Sequence, residues 1–196
     1  MSDGSSLPLK KQLFYFIRHA ETDWNTQKLC QGWRDIPLNE SGLLAAKAFA
    51  LSTKNYKIPC IVSSSLTRAL QTAKEIHEVH PDVALHVIPE LRERCWGSLE
   101  GASSEEMYAI EKLEDADPFF HPGKGVESRS DFRKRLLKGI ALSQEIDPHP
   151  WIVSHGRLFM ELCFALNISP LNQLLNCQLV EIAPDKDGWK MTNVIC

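Results

Sequence analysis

The sequence predicts an α/β fold: a three-layer arrangement with a mostly parallel central sheet, helices on both faces and a small helical lid over the carboxyl edge of the strands. Three observations predict it. Apolar, β-prone runs occur at 13–17, 60–62, 86–88 and 151–153, each too short for a helix and long enough for a buried strand. Helix-forming segments, not hairpin turns, follow these runs, which makes the sheet largely parallel. Each run also breaks off into polar residues, so chemistry-bearing side chains collect at one sheet edge, where open α/β folds bind ligands.

The first run, Leu13 to Ile17, stops at Arg18-His19-Ala20-Glu21-Thr22. From Glu21 to Leu38 the chain is irregular, and Trp24 and Trp33 within it indicate a loop packed down on the protein. Asn39 to Gly42 supplies caps for a helix through about Leu51, with Leu43, Leu44, Ala46, Ala48 and Phe49 available to the core. Cys60 to Val62 runs into Ser63-Ser64-Ser65, and the helix after it carries Leu66, Ala69, Leu70, Ala73 and Ile76 on one face. Ser64 or Ser65 caps that helix, which puts Arg68 in its first turn beside free backbone N–H groups. Pro81 ends the segment. His86 to Ile88 leads into Pro89-Glu90-Leu91-Arg92-Glu93-Arg94. Residues 103–115 and 127–146 read as helices separated by the turn-rich Pro118 to Gly125, and 102–135 is assigned as the lid. Trp151 to Val153 ends in Ser154-His155-Gly156, followed by a helix from about Arg157 to Leu166. Cys177 to Pro184 and Trp189 to Val194 form a hairpin around Asp187-Gly188.

At 196 residues the chain is read as one domain, 1–196, long enough to bury a full core. A hydrophobic fraction of 43% and a charged fraction of 24% are those of a soluble globular protein. The formal net charge of −3 argues against a general nucleic-acid binder, which needs a basic face. No run approaches the roughly 18 apolar residues of a membrane span, and Met1 to Gln12 has no signal-peptide core, so a cytoplasmic location is expected. The cysteines, Cys30, Cys60, Cys95, Cys163, Cys177 and Cys196, form no C-x-x-C pair and read as reduced thiols. His77 and His80 have a helix-ligand spacing but no carboxylate-rich partner stretch, so a solvated helix end is expected, with no metal site and no cofactor.

Four strand candidates end in Arg18-His19, Ser63 to Arg68, the loop carrying Glu93, and His155. The inventory is a pair of guanidiniums, a pair of imidazoles and a carboxylate. Guanidiniums present forked donors matched to phosphate oxygens, and helix N-termini after Ser65 and His155 add backbone donors. A carboxylate ligand needs only one such clamp. The surplus of positive groups favours phosphate, with one imidazole free to act as nucleophile.

The motifs resemble those of the histidine phosphatase superfamily, the phosphoglycerate mutase-like proteins. Arg18-His19-Ala20-Glu21-Thr22, Asn25, Gln31 to Leu38 and Gly42 are similar to its opening signature. Ser64 to Ala73 is similar to its second motif, Leu91 to Gly101 to its third, and Val153-Ser154-His155-Gly156 to its fourth. They occur in the family's order. The resemblance implies His19 as nucleophile, taking the phosphoryl group as a phosphohistidine. It implies Arg18, Arg68 and His155 as the phosphate-binding groups, and Glu93 as the general acid and base. Sequence chemistry alone does not choose Glu93 over its neighbours Glu90 and Glu100; the motif register does. Asn25, Gln31, Gly32 and Gly156 fall on the substrate side. Cations near His19 favour its neutral, attacking form. Where the family carries Gly after the nucleophile, this chain has Ala20. A positive φ there would cost about 1 kcal/mol, and any other φ would leave the methyl crowding the pocket slightly.

The activity implied is metal-independent phosphomonoester hydrolysis, with small phosphomonoesters as substrates, phosphoprotein side chains included. Mutases of the family carry a longer segment after the Glu motif, with Lys and paired Arg residues for the substrate carboxylate. The equivalent Ala102 to Met107 here is short and acidic, which favours hydrolysis over mutase-type transfer. A low-turnover phospho-ligand binding module is the rival from another class, and retention of His19 and Glu93 argues against it. Within the lid, Glu105, Glu106, Glu111, Glu114 and Asp115 disfavour a polyanionic sugar bisphosphate unless they face solvent. Arg129, Arg133 and Arg135 read as a solvated helix face, and Trp33 and Trp96 as packing residues.

Overall fold

The computed structural model describes residues 9–117, 120–123, 125–169 and 173–194. The polar N-terminal stretch through Pro8, Cys196, and Pro118, Phe119 and Lys124 of the turn-rich segment lie outside the described residues.

A six-stranded sheet in the order β3-β2-β4-β1-β5-β6 forms the middle layer. Its strands are β1 (Phe14–Arg18), β2 (Ile61–Ser63), β3 (Leu85–Val87), β4 (Trp151–Ser154), β5 (Leu179–Asp185) and β6 (Gly188–Val194). The first four pair in parallel, with Arg18 opposite Ser154 and Ser63 opposite Val153. The hairpin of β5 and β6 closes one side antiparallel to β1. This is the expected mostly parallel α/β architecture. Strands β2 and β4 are buried along their whole length because both sheet faces are covered.

Among the described residues six α-helices accompany the sheet: α1 (Asp23–Thr26), α2 (Glu40–Ser52), α3 (Thr67–Val79), α4 (Ser104–Ala116), α5 (Arg129–Ile146) and α6 (Gly156–Ala165). Two cores flank the sheet. One joins Phe14, Phe16, Val62 and Ile152 to Phe132, Leu136 and Ile140 of α5 and Leu158, Phe159 and Leu162 of α6. The other joins Ile17, Ile61 and Val153 to Phe49 and Ala50 of α2 and Ala69, Ala73 and Ile76 of α3. Each large apolar side chain so buried contributes roughly 1.5–3 kcal/mol relative to exposure. The 102–135 segment therefore divides: α4 lies at the cavity described below, whereas α5 enters the core from Phe132 onward.

Several local readings are corrected. Leu44 and Ala48 of α2 are exposed, not in the core. The N-cap of α3 is Leu66, whose side chain cannot cap, and neither Ser64 nor Ser65 takes that role. The Asp35 carboxylate reaches over instead, accepting from Thr67 N at 2.6 Å and Thr67 Oγ1 at 2.7 Å. The loop after His19 holds the unexpected α1, closed by a capping box between Thr22 and Asn25. Gly42 lets α2 touch this loop: a Cβ there would sit 2.0 Å from the Glu21 carbonyl oxygen.

Candidate active site

At the carboxyl ends of β1, β2 and β4 lies a cavity of about 570 Å³. Arg18, His19, Asn25, Gln31, Gly32, Arg68, Glu93 and Gly156 all line it. His155 stands behind this wall, fully buried, its ring centroid 5.2 Å from that of His19. All nine residues singled out from the sequence therefore converge on one site.

His19 leaves β1 with its backbone N–H donating to Ser154 O of β4 at 2.9 Å. Its Nδ1 lies 2.7 Å from Ala20 O. A carbonyl only accepts, so Nδ1 carries the proton, and the neutral ring keeps its lone pair on Nε2. Burial, then the Arg68 and Arg18 charges, hold the His19 imidazole well below the usual histidine pKa. Asn176 Nδ2 donates to His19 O at 2.7 Å, and Thr72 Oγ1 accepts from Ala20 N at 3.0 Å. Ala20 does not have a positive φ. Its methyl packs with Leu38 and Ala46 rather than on the cavity wall, so neither strain nor crowding attends the missing glycine.

Arg68 sits in the first turn of α3, 1% exposed. Its Nη1 and Nη2 donate to Arg34 O and Gly32 O, both at 2.9 Å. Burial draws its pKa down to about 10, which leaves it a cation at neutral pH. The Gly32 carbonyl is aimed by a left-handed backbone, φ +52°, and a Cβ there would strike Glu100 Oε1 at 2.3 Å. Arg18 donates through Nη1 to Leu174 O at 2.7 Å. The Nε atoms of both arginines, Gln31 Oε1 and His155 Nδ1 are buried with no hydrogen-bond partner. Four orphaned polar atoms around one imidazole are costly unless a ligand completes them.

His155 is the N-cap of α6, and Gly156 is its first residue. His155 Nε2 lies 2.8 Å from Ser64 Oγ. Ser64 Oγ accepts from Leu66 N at 3.3 Å, which leaves its hydroxyl hydrogen for the imidazole. Burial first, then the Arg68 charge, hold the His155 pKa well below its ordinary value. Gly156 gives Arg18 room, since a Cβ there would lie 3.3 Å from Arg18 Nε.

The Glu93 carboxylate is anchored by backbone N–H groups. Oε1 accepts from Arg94 N at 3.0 Å and Leu158 N at 2.9 Å, and Oε2 from Arg157 N at 3.0 Å. A carboxylate has about four acceptor positions, so these three donors leave one for a ligand. Its carbonyl accepts from Trp33 Nε1 at 2.7 Å and Arg135 Nη2 at 3.0 Å. Arg135 also donates to Glu90 O and Arg92 O and pairs with Glu127. It is thus a clamp on the Glu93 loop, not part of a solvated helix face. Arg129 and Arg133 are likewise paired, both with Glu161. Asn25 has a dual position: Oδ1 closes the capping box of α1 while the residue lines the cavity.

Sequence reasoning missed Ser64, Thr72, Trp33, Arg135 and Asn176 as supports. A serine in the motif beside Arg68 was a signal for the first. The others act from segments remote in sequence.

Residues 14–195 match the model of the histidine phosphatase superfamily (branch 1). An uncharacterized phosphatase, PhoE, of Bacillus subtilis is 33% identical over 89% of this chain and 90% of its own. A probable phosphoglycerate mutase, GpmB, of Yersinia pestis is 30% identical over 89% of this chain and 86% of its own. A mycobacterial glucosyl-3-phosphoglycerate phosphatase, solved with VO3, superposes with a TM-score of 0.73 at 25% identity, covering 94% of this chain and 98% of that one. The fold alone is shared, at a TM-score of 0.75 and 20% identity, with a putative alpha-ribazole-5'-P phosphatase of Escherichia coli, over 95% and 97% of the two chains. The chain therefore belongs to the histidine phosphatase superfamily, branch 1.

Proposed function

We propose that this protein hydrolyses phosphomonoesters through a phosphohistidine on His19, without a metal. The observation that carries the reading is the state of His19: Nδ1 is committed to Ala20 O, the ring is held neutral, and cationic groups surround it. Nε2 attacks phosphorus as the P–O bond to the alcohol breaks. Arg18, Arg68 and His155 hold the phosphoryl oxygens, His155 through Nδ1 while Ser64 donates to its Nε2. Helix α6 adds its N-terminal end. Glu93 starts the cycle protonated at its one free oxygen position, gives that proton to the departing alkoxide, then takes one back from the water that attacks the phosphohistidine. That water's oxygen bonds to phosphorus, the P–N bond breaks, and His19 regains its lone pair. Proton transfer of this kind is typically worth about 10²–10⁴-fold. Gln31, Gly32, Asn25 and Gly156 border the leaving alcohol. Residues 102–116, with Met107 and Tyr108 on the cavity wall, form the lid.

The relatives include both phosphatases and mutases. The short acidic segment after the Glu93 motif supports hydrolysis, because mutase-type return of the phosphoryl group needs a product held for the second transfer. Small phosphomonoesters are the substrate class; the glucosyl-3-phosphoglycerate phosphatase among the similar structures supports that class and not a preference among its members.

The test is p-nitrophenyl phosphate hydrolysis in excess EDTA by wild type and His19→Ala. Turnover that persists in EDTA and disappears in the variant supports the reading. Equal turnover by both proteins sinks the assignment of His19, and loss of wild-type turnover in EDTA sinks metal independence.

A further inference from the structure

Beyond the phosphoryl pocket, the cavity wall is made by Trp24, Lys28, Leu29, Met107, Tyr108, Arg157 and Met160 among others. Its charges are unequally placed. Lys28 is exposed at the rim, where a cation in water attracts an anion weakly. Arg157 is different: its side chain is 28% exposed, it lines the cavity, and its charge is felt by Arg18. A guanidinium so placed is suited to a second anionic group on a bound phosphate ester.

That guanidinium is already engaged. Nε donates to Glu111 Oε1 at 2.8 Å, and Nη2 donates to Glu111 Oε2, a forked pair from α6 to α4. Glu111 is half-withdrawn from solvent, with its side chain 18% exposed. It borders a second, smaller cavity on the far side of Arg157 and does not line the first. It can therefore cancel the charge of Arg157 without touching a ligand. The next acid along α4, Glu114, forms its own forked pair with Arg94, and Asp115 pairs with Arg129, so neither competes for Arg157.

We propose that Glu111 is a specificity-determining residue. By holding the Arg157 guanidinium it deprives the outer cavity of a shielded, uncommitted cation. The site then takes phosphomonoesters of alcohols with no second anionic group, in preference to phosphorylated carboxylic acids and bisphosphates. This rests on the phosphoryl-site reading above but not on turnover. A substrate carboxylate gains Arg157 only by displacing Glu111, and a half-buried carboxylate stripped of its partner is costly.

The test compares binding of phenyl phosphate and 3-phosphoglycerate by calorimetry on His19→Ala protein, which removes the nucleophile, with kcat/KM for both esters on the otherwise native enzyme. Phenyl phosphate binds more tightly in the wild-type context, and this arm needs no change at Glu111. Glu111→Gln, which retains size and one acceptor, shifts the ratio toward 3-phosphoglycerate by about 10-fold, the worth of one charge-assisted contact. Adding Arg157→Gln removes the shift. An unchanged ratio, or an equal loss for both esters, would mean that the pair only fastens α4, and the proposal fails. Tighter 3-phosphoglycerate binding before any change at Glu111 also overturns it, as does binding of neither ester. Binding with the proposed selectivity but no turnover would overturn the hydrolase reading and leave this one standing.

Discussion

The inner and outer halves of the cavity are built by different means. In the inner half, backbone groups hold most of the reactive side chains, His155 with its Ser64 partner being the exception. Glu93 is held by three N–H groups, Arg68 by the carbonyls of Gly32 and Arg34, Arg18 by Leu174 O, and His19 by Ala20 O. In the outer half and behind it, around the smaller cavity that shares Arg157, side chains hold side chains across elements: Arg157 to Glu111, Arg94 to Glu114, Arg129 to Asp115 and Glu161. A backbone-anchored site keeps its geometry through most substitutions of its neighbours. An ion-paired wall is re-specified by one change of charge. On the proposed reading the sheet edge carries the chemistry, and α4 with the start of α6 carries the choice of substrate.

The largest effect is expected at His19, the proposed nucleophile. His19→Ala lowers kcat/KM for any phosphomonoester by about 10⁴-fold or more, measured by steady-state turnover with a circular-dichroism melt as control. A loss below 10-fold would move the nucleophile elsewhere. Glu93→Gln costs about 10²–10⁴-fold, and the loss is larger for an alkyl phosphate than for p-nitrophenyl phosphate, whose leaving group needs no proton. Equal losses for the two esters would assign Glu93 a structural role only. Ser64→Ala, which strips His155 of its partner, lowers kcat/KM by about 10-fold, the effect of one displaced hydrogen bond near 1.4 kcal/mol. The smallest effect is Ala20→Gly. With no positive φ to relieve and a buried methyl to lose, glycine destabilises by about 1 kcal/mol. A stabilised variant would contradict the backbone geometry.

The pH dependence sharpens the contrast. His19 and His155 are buried and have folded-state pKa values depressed below 6.5. Below that value the unfolded chain binds protons that the folded protein refuses. Their contribution to stability is therefore complete above pH 6.5 and is lost as pH falls toward the folded values. The melting temperature falls on acidification from pH 7 to 5.5, and less steeply in His155→Gln. The acid limb of kcat/KM lies below pH 6.5 if the neutral form of His19 governs it.

The inner half was the more legible from sequence, for the same reason that it is robust. Strand ends and helix starts leave local signals, so Arg18, His19, Arg68 and His155 were read directly, and the register of the Leu91 to Gly101 motif chose Glu93. What escaped was long-range. Asp35 capping α3, Trp33 and Arg135 clamping Glu93, and Asn176 on the His19 carbonyl join segments tens of residues apart, with no periodicity to announce them. The arginines of α5 show the limit most clearly. Their spacing suits a solvated face, and only the tertiary packing reveals that Arg135 faces the Glu93 loop and that Arg129 and Arg133 share Glu161. Short α1 was hidden because its capping box uses Asn25 where Glu or Gln is the usual signal.

The most direct test of the central claim is to identify the covalent intermediate. The enzyme is mixed with a ³²P-labelled phosphomonoester in excess EDTA, quenched in alkali within one turnover and mapped by peptide mass spectrometry. The expected result is an acid-labile, alkali-stable phosphoramidate on His19, formed and lost at rates compatible with turnover and absent from His19→Ala. Turnover with no such label, or with the label on another residue, would contradict it.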